Sequence, residues 1–494
     1  MLTELKKLRD AGILNAGTAS VLALEAAELI IGHYRNNKEY PRDAVALLCE
    51  ITADKDQTIA SAGVAALFPA LVERLNDSFD PELCILYDQV FSQVIDYFRR
   101  LPDGKQLDHG LRSFGLINEE DLLTRKSQIS NLKSQISNLK SQISKVLLLS
   151  RVTIGADVAV TSVIIAKLRE ILPDAEFVLL GSRKLRELFG GDPKLRIREI
   201  AYERGGGVLS RLTSWLDIIE MIEDECRGYQ PHEVWLVDPD SRLTQLGLLP
   251  LLKDESNYFF FESRSYQRPG AGCLGELASD WVNQVFNTKG RTFPYLALPT
   301  EHRAFGHAVG EKLRRSGASR LVSMSLGVGG NPNKRISDSF EEDLVHQLVQ
   351  ESTLILDKGA SSEELEQIDR IAAKLRSEGK TVVEVDQQNA PELLKQESIR
   401  AEVLTWHGGI GAFAGLIAAG DEYIGYDSAG QHIAAALGVP ALTIFVNANS
   451  RTFAERWRPY GSGMIEVFNI DAAQRPHDEN QTLSHLLSLH RRLR

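Results

Sequence analysis

The chain reads as an α/β protein in which two doubly wound parallel-sheet halves follow an all-helical segment. Three observations predict this. From Val146 onward, short apolar runs such as VLLLSRV and RLVSMSL alternate with amphipathic stretches of helical length, the pattern of buried parallel strands joined by crossover helices. The pattern restarts between Asn287 and Thr300, so a second half follows the first. The 494 residues also exceed what one core holds, so two or three domains are expected.

Taken in order, residues 1 to about 125 read as helices. Val21, Leu22, Leu24, Leu29, Ile30 and Ile31 suit one, and Asp43–Ile51, Ile59–Leu75 and Pro81–Arg100 suit three more, punctuated by Asn, Asp, Gly and Pro. This segment carries no paired carboxylates or histidines at a useful spacing, and an interaction or oligomerisation module is the expectation. Residues 126–145 repeat as KSQISNL, KSQISNL, KSQIS, with Ile129, Leu132, Ile136, Leu139 and Ile143 in heptad steps. A duplicated linker that marks a domain boundary is expected there.

In the first half, strands are predicted at 146–152, 176–181 and LRIREIAY, and at HEVWLVDP, with helices from Val158, Arg183 and Leu209 between them. In the second half, strands are predicted at 320–326, 352–356, 381–385 and 402–406, with helices at 339–350, 362–378 and 410–419. The stretch YIGYDSAGQHIAAALGVPALTIF, 423–445, then gives strand, helix and strand, with Asp427 in an N-cap position and Gly438 as the C′ glycine. A helical tail closes the chain at 483–493.

The formal net charge of −11 argues against a broad nucleic-acid surface. Cys49, Cys84, Cys226 and Cys273 are scattered without a CxxC, which suggests neither a disulfide framework nor a zinc site. The start, MLTELKKLRDAG, is not a secretory signal, and no run reads as the ~20 apolar residues of a membrane span. A reduced, cytoplasmic setting is expected, with peripheral contact at the inner face of a membrane compatible with it.

Three loops at strand carboxyl ends could hold chemistry. In Thr153–Asp157, Asp157 falls at the N-cap of its helix, where it either caps or acts as a general base toward an incoming hydroxyl. In Gly327–Ser337, glycines allow close backbone approach, and Lys334 and Arg335 offer charge for a phosphate, although the same pair also suits a solvated turn. In Asp427–His432, the helix start and the amides of Ala429 and Gly430 suit a pyrophosphate. Asp427 would repel that anion and is better used on sugar hydroxyls. His432, one turn beyond Ser428, is either a ligand contact or a packed, hydrogen-bonded residue.

Together these loops resemble the heptosyltransferase family of GT-B glycosyltransferases, family nine of the sequence classification. Asp427-Ser428-Ala429-Gly430-Gln431-His432-Ile433-Ala434-Ala435-Ala436, then Gly438 and Pro440, resembles the family's D-S-x-x-x-H-x-A-A-A-x-G-x-P signature. SRVTIGADVAVTS resembles its first-strand loop, GGNPNKRIS its phosphate-facing loop, and Trp457-Arg458-Pro459-Tyr460-Gly461 its W-R-P-Y-G segment. There are departures. Ala156 separates Gly155 from Asp157 where the family has the pair adjacent, Ile336 stands where a tryptophan is common, and Ala429-Gly430-Gln431 replaces glycine-leucine-methionine.

The resemblance implies two Rossmann-like domains facing a cleft, an acceptor domain at 146–295 and a nucleotide-sugar donor domain at 296–494. It implies inverting transfer of a sugar from a nucleotide diphosphate such as ADP-heptose to a hydroxyl of a glycan or glycolipid, with no metal and no cofactor. Asp157 would be the base, Lys334 would offset charge on the departing diphosphate, and Asp427 would hold the donor sugar. Ser428 and the amides of Ala429 and Gly430 would meet the phosphates, with His432 supporting that helix end or touching the donor. Gly329, Gly330, Asn331 and Arg335 are further candidate donor or phosphate contacts. A protein partner or self-association is expected of the helical segment. Two alternatives stay open: a nucleotide-sugar epimerase or hydrolase on the same fold, and a non-catalytic scaffold.

Overall fold

The computed structural model describes residues 1–131, 142–202, 206–268, 270, 272–329, 331–448, 450–470 and 478–493. Twelve strands form two sheets. The first holds β1 (Lys145–Leu149), β2 (Glu176–Gly181), β3 (Leu195–Glu199), β4 (Val234–Asp238) and β5 (Tyr258–Phe260), in the order β3-β2-β1-β4-β5. The second holds β6 (Leu321–Ser325), β7 (Thr353–Asp357), β8 (Val382–Asp386), β9 (Val403–His407), β10 (Glu422–Tyr426), β11 (Ala441–Val446) and β12 (Ile465–Ile470), in the order β12-β11-β10-β6-β7-β9-β8. All of its pairings are parallel. β1, β4, β6, β10 and β11 are buried along their whole length, which is why they read as unbroken apolar runs.

The chain forms two compact units, one of residues 1–152 with 199–268, the other of 153–198 with 269–494. In the first unit, the helical segment packs on the elements around β4 and β5. Trp215 donates from its indole to the Pro250 carbonyl at 2.6 Å and meets the ring of Phe114. Arg125 donates to Glu255 and to the Gly247 carbonyl, and the buried Lys126 donates to Asp88. The helix Glu119–Asn131 therefore runs on into the KSQISNL repeat instead of ending before it. Ile129 and Ile143 are buried, and the other heptad positions, Leu132, Ile136 and Leu139, lie outside the described residues.

One predicted helix turns an unexpected face inward, and one expectation is corrected in this unit. The helix Ala16–Asn37 buries Ala19, Ala23, Ala26, Ala27, Ile30 and Ile31, while Val21, Leu24 and Leu29 are exposed. Small side chains on the buried stripe let neighbouring helices approach, and that outweighs the larger apolar residues opposite. The helix Gln57–Asn76 is long and apolar enough, by length and composition, to cross a membrane. It buries Ala66, Leu67, Leu71, Val72 and Leu75 within this unit, as a core helix does.

In the second unit a core of Val322, Met324, Leu344, Leu354, Ile371 and Leu442 packs on one face of the seven-stranded sheet. The helices Thr300–Arg315 and Ile410–Ala419 cross closely, because Gly306 meets Gly415 there. A Cβ on Gly306 would run into the Gly415 carbonyl, and one on Gly415 into the His302 carbonyl. Both obstacles are backbone, which cannot rotate aside. Gly306→Val should therefore lower stability by about 2–3 kcal/mol, at the upper end of ordinary overpacking, read as a fall in thermal midpoint. An unchanged midpoint would mean the crossing is looser than this.

Candidate functional site in the second unit

The order of the seven strands dictates where a ligand can sit. The chain leaves β6 toward β7 and returns on the other side at β10, so β6 and β10 flank the topological switch point. Open parallel sheets bind ligands there, beyond the strand carboxyl ends. Ser325 and Gly425 lie in register at that edge. The loop after β6 ends in a short turn, Pro332–Lys334, which Asn331 caps by accepting from the Asn333 amide. Asn447 donates to the Asn333 carbonyl at 2.7 Å and ties the turn to the end of β11.

Lys334 crosses the switch point. Its Nζ donates to Asp427 Oδ2 at 2.6 Å and lies 5.4 Å from the centre of the Phe453 ring. Asp427 Oδ1 accepts from Gln431 Nε2 at 2.7 Å. Asp427 is therefore not the N-cap the sequence suggested. Ser428 holds that position, and the helix runs Ala429–Leu437. The cause is competition: an ammonium and a side-chain amide claim both oxygens of Asp427, and a charge-assisted bond is stronger than a cap to neutral amides. Ser428 places no side-chain cap on the helix, so its first-turn amides keep their capacity to bind an anion. Gly430 lies over the Tyr423 hydroxyl, where any Cβ would collide. Gly438 ends the helix at φ +71°, as a C′ glycine should.

His432 is 4% exposed, and burial pushes its imidazole down to about 4, so it is neutral near pH 7. Its Nε2 lies 3.3 Å from Gln431 Nε2, and its ring meets Trp457 edge-on at 6.1 Å. Gln431 thus links Asp427 to His432, a role that sequence reasoning missed. Its spacing of four from Asp427 on one helix face was the available signal.

Asp157 also departs from expectation. Its helix begins three residues earlier, at Ile154, with Thr153 as N-cap. Asp157 opens a π turn, Asp157–Thr161, is 1% exposed, and accepts from Thr161 Oγ1 at 2.9 Å. It is not a helix cap because its carboxylate turns down the helix toward Thr161. A π turn closes one residue later than an α turn, so the extra residue Ala156 is taken up locally. At Gly155 a Cβ would stand 3.3 Å from Ala429 Cα and from His432 Cδ2, so this helix start abuts the other. The structure therefore brings the Gly155–Asp157 turn, Ala429, His432, Asp427 and Lys334 into one neighbourhood.

The remaining sequence candidates behave differently. Arg335 donates to Glu341 and, at 2.6 Å, to Asp338, and these carboxylates raise its pKa further. Its guanidinium is engaged by these two carboxylates. Gly329 is exposed at φ +63°, and Gly330 lies outside the described residues.

One group had no sequence signal beyond its place at a strand end. Asp357 closes β7, accepts from Ser325 Oγ at 3.3 Å, and is pushed up to about 7 by burial. Because its folded pKa lies above the ordinary 3.8, the folded state holds the extra proton between these values. Stability from this group is present below about pH 4 and lost as pH rises to about 7. His432 has the opposite sign, gaining stability as pH rises from about 4 to 6.5. Asp357→Asn should remove the alkaline loss and raise stability at pH 8 by on the order of 2–4 kcal/mol, measured by urea unfolding across pH. Parallel profiles for the variant and wild type would rule out this burial of charge.

Residues 387–486 match the family model for glycosyltransferase family 9 (heptosyltransferase), a segment that includes Asp427–His432 and Trp457. Among solved structures, the chain is similar to a glycosyl transferase family 9 protein from Veillonella parvula, with a TM-score of 0.50 and 13% identity over 71% of this chain and 97% of that one. It is also similar to the E. coli ADP-heptose lps heptosyltransferase II (TM-score 0.45, 15% identity, 70% and 98% covered). The E. coli heptosyltransferase WaaC with ADP-2-deoxy-2-fluoro heptose gives a TM-score of 0.44 at 12% identity, with 70% and 99% covered. No curated protein matches the sequence.

Proposed function

We propose that the chain is an inverting, metal-independent glycosyltransferase. It moves a heptose-like sugar from a nucleotide diphosphate such as ADP-heptose to a hydroxyl of a glycan or glycolipid. The observation that carries this reading is the Lys334–Asp427 pair across the β6/β10 switch point, beside a helix start left without a side-chain cap. One site then offers what a sugar diphosphate needs: amides and an ammonium for the phosphates, and a carboxylate for the sugar hydroxyls.

In the reaction, the acceptor hydroxyl loses its proton to a carboxylate while its oxygen attacks the anomeric carbon. The bond from that carbon to the diphosphate breaks with inversion, and the negative charge leaves on the nucleoside diphosphate. Lys334, now shared between Asp427 and the phosphate, offsets that charge, which is the electrostatic term such sites depend on. Pairing with Lys334 also removes the objection that Asp427 would repel the donor, since the ammonium screens one carboxylate oxygen. Neutral His432 packs under the helix start and adds no charge of its own.

Asp157 is the proposed base. Its carboxylate is covered and held by Thr161, so acceptor binding must open the Ile154–Asp157 turn before the proton moves. With ADP-heptose and a lipopolysaccharide-core acceptor, Asp157→Asn should slow transfer by about 10²–10⁴ while donor binding by calorimetry survives. Lys334→Met should weaken the donor itself and slow turnover by about 10²–10³. Full transfer by the Asp157 variant would remove it as base. Failure of the wild type to bind any nucleotide sugar would end the transferase reading.

A further inference from the structure

The two partners of Asp427 differ in their access to a ligand. Lys334 Nζ donates to Oδ2 at 2.6 Å from a side chain that is 28% exposed. Gln431 Nε2 donates to Oδ1 at 2.7 Å, and Gln431 is 0% exposed. An incoming diphosphate can therefore draw the ammonium toward itself, whereas it cannot reach the amide.

Gln431 is the third residue of the helix Ala429–Leu437, and Asp427 stands just ahead of the Ser428 cap. Ile433, Ala434 and Ala435 are buried behind it, so a fixed backbone carries the amide. The nitrogen must be the atom that faces Asp427, because the carboxylate would repel the amide oxygen. The second hydrogen of that nitrogen has His432 Nε2 at 3.3 Å and the Trp457 carbonyl at 3.5 Å within reach. The amide oxygen, Oε1, is buried and has no hydrogen-bond partner among the described residues. Leaving such an oxygen unpaired costs about 1–3 kcal/mol, a cost that an apolar side chain of the same length does not carry. The bond to Asp427 is what glutamine offers here and methionine does not.

We propose that Gln431 is a positioning residue for the donor sugar, fixing the aim of the Asp427 carboxylate when Lys334 turns to the diphosphate. The inference rests on the glycosyltransferase reading, in which Asp427 takes the sugar hydroxyls and Lys334 the phosphates. Each carboxylate oxygen accepts more than one hydrogen bond. Oδ1 keeps its bond to Gln431, and the sugar takes the lone pairs that Lys334 vacates. Without the amide, the carboxylate would follow the departing ammonium, and its oxygens would leave the positions the hydroxyls require. The phosphates do not depend on Gln431, since the amides of the helix start and the ammonium meet them.

The test compares ADP with ADP-heptose by calorimetry on the full chain. Gln431→Met keeps the length and removes the donor. It should weaken ADP-heptose about ten-fold and change ADP by less than about two-fold. A glutamine that merely supported the helix start would lose both ligands together, as Lys334→Met should. In Asp427→Ala the sugar contacts are already gone, so adding Gln431→Met should weaken ADP-heptose by less than about two-fold more. Unchanged ADP affinity shows that the variant is folded. Gln431→Leu, which also lacks the donor, gives the same comparison should the methionine variant lose its thermal transition. Equal loss of ADP and ADP-heptose, no loss of either, or a further ten-fold loss in the Asp427→Ala background would each overturn the proposal. A wild type that binds neither ligand overturns the glycosyltransferase reading itself, whereas a wild type that binds both, with no contrast in the variants, overturns the role of Gln431 alone.

Discussion

One ion pair organises the second unit's functional edge. Lys334 reaches from the loop after β6 to Asp427 after β10, the two strands on either side of the point where the chain crosses from one half of the sheet to the other. With the Asp427 side chain 11% exposed, the charge is largely out of water and depends on its partner. From Asp427 the dependence continues through Gln431 to His432 and on to Trp457. Removing the ammonium would therefore disturb the helix start as well as the loop after β6. A loop of glycines and polar residues gains a fixed shape from that contact, with the Asn447 bond to Asn333 as its second anchor.

Much of this architecture was legible in the chain. Runs such as VLLLSRV, RLVSMSL and ALTIF could only be buried strands, since they lack the polar alternation of a one-sided sheet. The strands that went unread were the short Tyr258–Phe260 and the partly exposed edge strand Ile465–Ile470, whose apolar signal is weak. Helix existence was clearer than helix starts. Asp427 and Asp157 both looked like caps, and both carboxylates instead found side-chain partners, Lys334 with Gln431 for one and Thr161 for the other. Capping propensity is a local preference, and tertiary or same-face donors override it where they reach the oxygens first.

The site residues divide along the same line. The Asp427–His432 stretch and Lys334 could be read as neighbours because both lie at strand carboxyl ends of one parallel sheet, and the structure places them in contact. Arg335 pairs with Glu341 and Asp338, a few residues along the same turn and helix, a local capture that the basic pair alone did not announce. Asp357 could not be found at all: an acid at a strand end becomes unusual only once the fold covers it. The helical segment was recognised as helical, while the face it buries was not. The helix Ala16–Asn37 buries mainly alanines, which carry a weaker apolar signal than the larger side chains it exposes.

The π turn at Asp157–Thr161 decouples the two ends of its helix. A residue added to a regular helix rotates everything after it by ~100°, which would have turned Val163, Ile164 and Leu168 out of the core. Confining the surplus to a single wide turn leaves that buried face in phase. The end of the helix that carries the carboxylate answers to its contacts with Thr161, Ala429 and His432, and the other end answers to the core. A change of length at that end therefore need not disturb the core beneath it.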